Sequence, residues 1–211
     1  MKRRQNSSSN VLVGEQMAHA IWRPATPTEI LQRLAPLSMP WWIAGGWALD
    51  LFLGQVTRPH VDIDVGIFRP DAPGVCTALP EWEFFEARGG ALTRLTAGTS
   101  PRAAVNSLWC RRRGAAEWAF ELMLDEGDGD QWTFRRDRKI RRALQSAIRR
   151  SSDGISYLAP EIQLLYKSKA VRPKDQVDFN RVIDRLDRDS RAWLRASIEG
   201  MDPGHAWLAK L

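Results

Sequence analysis

The chain has little of what would tie it to a secreted, zinc-bound or membrane-embedded class. Its 211 residues hold two cysteines, Cys76 and Cys110, with no paired spacing. That argues against a disulfide framework and against a cysteine-built zinc site. Its three histidines, His19, His60 and His205, lie far apart in sequence. No apolar run approaches the roughly 20 residues of a membrane span. Lys2, Arg3 and Arg4 make a basic start, but Gln5 to Asn10 is polar where a signal peptide needs an apolar stretch. A cytoplasmic protein without a membrane partner is expected. Internal repeats and linkers are absent. So are helix-turn-helix, zinc-finger and RNA-binding aromatic signatures, which weighs against a plain nucleic-acid-binding module.

What is present points to a folded domain with an anionic ligand. Hydrophobic residues make up 44% of the chain, enough for one globular domain or one with a small appendage. Ten tryptophans supply large core or cleft-wall surfaces. The net charge is +6 and the pI about 9.8, a balance that favours triphosphate, nucleic acid or an acidic surface as partner.

The chain is organised around Trp41 to Phe68. An apolar strand, Trp41 to Ala44, runs into Gly45-Gly46. A short amphipathic segment follows from Trp47 to Leu53, with Gly54 placed to end it. Two glycines at a strand–helix junction let backbone N–H groups approach a ligand, and a helix N-terminus suits a phosphate. Next comes Val61-Asp62-Ile63-Asp64-Val65, where β-branched residues alternate with carboxylates. Period two puts Asp62 and Asp64 on one side of a strand. Two such carboxylates repel unless a cation sits between them, and hard divalent cations such as Mg²⁺ take oxygen ligands of this kind.

The ordered set Gly45, Gly46, Trp47, Asp50, Arg58, His60, Asp62 and Asp64 resembles the nucleotidyltransferase superfamily. Within it, the set is similar to the aminoglycoside 2″-adenylyltransferase and lincosamide nucleotidyltransferase branch. The resemblance runs from about Leu37 to Leu194 and is densest from Gly45 to Asp64. It implies an α+β, polymerase-β-like nucleotidyltransferase fold: a mixed sheet flanked by helices, with a helical segment at the C-terminus. It also implies Mg²⁺ as cofactor, ATP as donor, and a small polar, aminoglycoside-like acceptor, with no stable protein partner. Two alternatives stand beside this reading. One is a toxin-type enzyme acting on tRNA; the other is a nucleotide-binding protein without catalysis, against which the intact Asp-x-Asp pair argues.

A third carboxylate is needed to help hold the metal and to take the proton of the attacking hydroxyl. Trp118 to Leu124 reads as an apolar strand with one embedded acid, Glu121, which is costly there unless it meets water or a cation. In the family an acid on a neighbouring strand fills this role, and Glu121 is assigned to it. Asp125 is the runner-up, placed at the start of an acidic turn, Asp125 to Asp130. The catalytic and metal set is thus Asp62, Asp64 and Glu121. The nucleotide set is Gly45, Gly46, Arg58 and Lys167, Lys167 being favoured over Lys169. Arg58 can also brace Asp50, and His60 can orient Asp62. The LLYK segment ending at Lys167, and Pro173, Lys174, Asp175, Asp178 and Phe179 beyond it, match a similar stretch of the family. Asp175 and Asp178 are expected to cap or brace helices.

Along the chain, residues 1–10 are expected to be disordered and Val11 to Ile21 to form a short helix. Thr26 caps a helix with Glu29 as its box partner. Strands or hairpins are expected at Glu83 to Arg88 with Ala91 to Thr96, Ser107 to Arg112, Trp118 to Leu124, Gln131 to Arg135 and Ile155 to Leu158. Helices follow Pro160, with Pro173 as a break. A core of residues 1–153 and a helical cap of 154–211 result.

Overall fold

The computed structural model describes residues 11–12, 20–128 and 130–211. Eleven strands are found among them: β1 (Val11–Leu12), β2 (Trp41–Ile43), β3 (Asp64–Phe68), β4 (Trp82–Arg88), β5 (Ala91–Arg94), β6 (Ser107–Arg112), β7 (Phe120–Gly127), β8 (Gln131–Thr133), β9 (Arg141–Ala143), β10 (Ile148–Arg150) and β11 (Ser156–Leu158). The sheet order is β1-β5-β4-β6-β7-β3-β2-β11-β10, with β8 and β9 branching from β7. β3 runs parallel to β7 and β11 parallel to β2, while the other pairs are antiparallel. Mixed sheet first and helices last is the expected α+β architecture.

Local chemistry explains the elements that frame the site. Pro27–Leu34 is a helix because Thr26 Oγ1 accepts from the Glu29 N–H at 3.2 Å and Glu29 Oε2 accepts from the Thr26 N–H at 2.7 Å. This reciprocal cap satisfies two end donors, and Ile30 and Leu34 then bury completely. The Trp41 strand enters the helix Gly45–Leu53, which ends at Gly54. Trp42, Ile43, Ile63, Val65 and Ile67 pack into the main core with Phe120, Leu122 and Leu124 of the central strand. A smaller core of Phe85, Leu92 and Trp118 gathers Trp22 and Trp109 at the sheet's far side.

Several expectations change. Val11–Leu12 is not helical but pairs with β5, Val11 opposite Thr93; residues 13–19 and the tail 1–10 lie outside the described residues. Asp125 is no turn residue: β7 continues to Gly127, so Asp125 is a buried strand position. The Asp62–Asp64 strand begins at Asp64, and Val61 is exposed. Pro173 does not break the helix begun at Pro160, which already ends at Ser168; Pro173 opens the helix Pro173–Val182. Residues 141–150 form two short strands around a helical turn that no periodicity announced. The division at 153/154 falls in the turn between β10 and β11, which pair with each other, and β11 then joins β2 in the sheet. Among the described residues no helix is long and apolar enough to cross a membrane.

Candidate active site

Asp64 and Glu121 are register partners on the adjacent parallel strands β3 and β7. The Glu121 N–H donates to the Ile63 carbonyl at 2.9 Å, which carries the pairing one residue upstream of β3. With Ile63, Val65 and Ile67 committed to the core, Asp62 and Asp64 turn the other way. All three carboxylates line one cavity of about 520 Å³. A larger groove of about 940 Å³, lined by Leu31, Met39, Trp41 and Leu144, has a single acid in its lining, Asp130, and no cluster of carboxylates, so size is no guide here.

Gly45 makes room for Asp64. It has φ +65, a left-handed conformation that side chains disfavour, and a Cβ there would collide with Asp64 Oδ2. A Cβ on Gly46 would strike the Arg58 guanidinium and the His60 ring. The Gly45 N–H, expected to be free for a phosphate, donates to Gln163 Oε1 at 2.8 Å. Gln163 was not foreseen; its signal was a polar residue inside the apolar run from Ile162 to Leu165.

The acids repel one another. Burial, then the charges of Glu121 and Asp62, lift the Asp64 carboxyl to about 7, against the pull of Lys167 and Lys174. Burial is also the main reason that Glu121 is raised. Among the described residues no three His, Cys, Asp or Glu side chains gather closely enough to hold a metal ion. Asp62, Asp64 and Glu121 therefore share a cavity and a field without forming a closed ligand shell. Asp125 lines the same cavity. Its carboxylate accepts from the Tyr166 hydroxyl at 2.9 Å and the Trp132 indole at 3.3 Å, and burial lifts it to about 6.

Arg58, His60 and Lys167 are tied up differently from the expectation. His60 does not orient Asp62: its Nε2 bonds Asp50 Oδ2 at 2.6 Å, its Nδ1 lies 3.2 Å from Arg58, and its ring stacks on Trp47. Arg58 does not brace Asp50 but forks onto Asp178, at 3.2 and 3.3 Å. Lys167 bridges Asp175 at 2.9 Å and Asp178 at 3.0 Å, and Arg172 closes the set on Asp175 at 2.6 Å. Burial pushes Asp175 and Asp178 up. For Asp175, hydrogen bonds from Arg172 and Lys167 outweigh that and hold the carboxyl well below the usual range; for Asp178, those from Arg58 and the Lys167 charge hold it low. The two acids brace the helix Pro173–Val182 against the core, as expected of them. Arg58 and Lys167 still line the cavity, joined there by Lys169, Lys174, Arg135 and Arg136.

Three solved structures share this fold. The solution structure of the antibiotic-resistance factor ANT(2″)-Ia matches with a TM-score of 0.52 at 18% identity, over 82% of this chain and 89% of that one. A crystal structure of ANT(2″)-Ia with adenylyl-2″-tobramycin gives 0.54 at 16%, over 82% and 95%. The lincomycin-bound lincosamide adenylyltransferase LnuA gives 0.50 at 16%, over 74% and 92%. The particular family follows from the sequence: the model of the aminoglycoside-2″-adenylyltransferases matches residues 28–181, and the chain belongs to that family. Two 2″-aminoglycoside nucleotidyltransferases, from Klebsiella pneumoniae and Escherichia coli, are each 51% identical over 37 residues. That stretch is 18% of this chain and spans only 21% of either relative.

Proposed function

We propose that this protein transfers AMP from ATP, with Mg²⁺, to a hydroxyl of a small polar acceptor in the cytoplasm. The observation that carries the reading is the gathering of Asp62, Asp64 and Glu121 in one cavity beside the helix that Gly45 opens. Oxygen-only donors on β7, at the start of β3 and just before it suit a hard divalent cation by their chemistry. The mutual repulsion that lifts Asp64 is what such a cation relieves. When bound, the cation supplies charge neutralisation at the phosphates undergoing transfer.

The chain's own groups do the rest. Gly45 and Gly46 keep the cavity wall thin enough for the phosphates, and Arg58, Lys167 and Lys174 supply positive charge there. Glu121 takes the proton of the acceptor hydroxyl. The acceptor oxygen forms a bond to the α-phosphorus as the bond to the bridging oxygen breaks and pyrophosphate leaves. A raised carboxyl pKa makes Glu121 a stronger base near neutrality. Family membership supports an aminoglycoside-like amino sugar as the first acceptor class to test, with Glu121 and Asp125 as its negative partners in the cavity.

The test is label transfer from ATP, GTP, CTP and UTP to aminoglycosides, lincosamides and tRNA. AMP on a small acceptor is the expected result. Label on tRNA alone favours the macromolecular reading, and nucleotide binding with no transfer at all favours a binding protein.

A further inference from the structure

Arg135 lines the same cavity, and nothing in the reading above uses it. It follows β8, on the Glu121–Asp125 side rather than the glycine side, where Gly45 leaves room for Asp64. Its guanidinium lies over the Tyr166 ring at 5.3 Å. Its Nη1 is buried, with no hydrogen-bond partner among the described residues. Arg58, Lys167 and Arg172 in the same cavity all have acidic partners. Arg135 acts on Glu121 and Asp125 through space, while the hydrogen bonds to Asp125 come from Tyr166 and Trp132. Beside it Arg136 donates to the Tyr166 carbonyl at 2.8 Å, so two like charges adjoin. A guanidinium nitrogen buried without a partner carries a desolvation cost that an anionic oxygen would offset.

We propose that Arg135 receives an anionic oxygen of a bound substrate on the Glu121 side of the cavity. The inference rests on the transfer reading. Such an oxygen has two sources: an acidic group on the acceptor, or the phosphates of the nucleotide.

The test compares wild type with Arg135→Gln in calorimetric titrations with three probes in the presence of Mg²⁺. These are pyrophosphate, a non-hydrolysable ATP analogue, and a hexose 6-phosphate added after the analogue. We expect Arg135→Gln to lose roughly tenfold to hundredfold in affinity for at least one of them. Loss confined to the hexose phosphate assigns the acceptor as the source; loss for pyrophosphate or the analogue assigns the nucleotide. The ligand-free variant should melt no lower than wild type, because a buried guanidinium nitrogen without a hydrogen-bond partner has been removed. If Arg135→Gln does not fold, Arg135→Lys is read in the same way, with a smaller loss because the charge stays and the fork is gone. Equal affinity of both proteins for every anion that wild type binds overturns the proposal, whatever the melting temperature. A wild type that binds none of the three overturns the transfer reading with it, whereas intact nucleotide binding in both proteins leaves that reading standing.

Discussion

Asp175 and Asp178 are surrounded by cations; Asp62, Asp64 and Glu121 are surrounded by one another. The first pair has Arg58, Lys167 and Arg172 within 3.3 Å, and its carboxyls are held low. The second group is half-buried, less enclosed than the first, yet Asp64 rises to about 7. Both groups are acids next to the same cavity, so acid content alone does not distinguish a brace from a site. Compensation does. Fully paired charges hold the helix Pro173–Val182 to the core. Unpaired ones store repulsion that a bound cation or a proton relieves.

The largest effect that bears on this contrast is on turnover. Asp64→Asn should lower transfer about a thousandfold or more, since several kcal/mol of charge stabilisation at the phosphates are lost. Circular dichroism should show the fold intact. A variant with full activity would remove Asp64 from the site. Glu121→Gln should reduce kcat by about a hundredfold to ten-thousandfold while nucleotide affinity stays near wild type. A loss confined to nucleotide binding would assign Glu121 to the phosphates instead.

The braced side should respond in stability. Lys167→Met leaves Asp175 and Asp178 short of a cation in a buried setting, which costs about 3–5 kcal/mol. Urea unfolding measures it, and a change under about 1 kcal/mol would mean that the pairing is worth no more than a surface bridge.

A smaller effect depends on pH. Asp64 has an ordinary value of 3.8 and a folded value of about 7, so the folded protein binds the extra proton between them. Its contribution to stability is full below the lower value and is lost as pH rises through the higher one. Without metal, Asp64→Asn should therefore raise Tm at about pH 8 and leave it nearly unchanged at about pH 4. Equal shifts at both would show that desolvation and repulsion are not what burden Asp64.

Much of the uncompensated side was legible in the sequence. Alternation alone put Asp62 and Asp64 on one side, and an acid inside Trp118 to Leu124 marked Glu121. Glycine at 45 was legible as a close approach, though that it makes room for Asp64 was not. The braced side was legible only as residue types: Arg58 and Asp178 are 120 positions apart, and no local pattern says which distant cation a helix acid will meet. Asp125 was misread because DEGDGD carries turn chemistry, while the pairing of β3 with β7 extends the strand through Asp125. His60 was expected at Asp62 because it is near in sequence; the buried Asp50 takes it instead.

The most direct test of the contrast is the melting temperature at about pH 8, with and without Mg²⁺ and a non-hydrolysable ATP analogue, in wild type and Asp64→Asn. Ligand at about a hundred times its Kd adds about 2.7 kcal/mol to a protein that binds it. Wild type should start lower and rise on addition, while Asp64→Asn should start higher and barely move. An Asp64→Asn protein that starts no higher and rises as far as wild type would contradict the account.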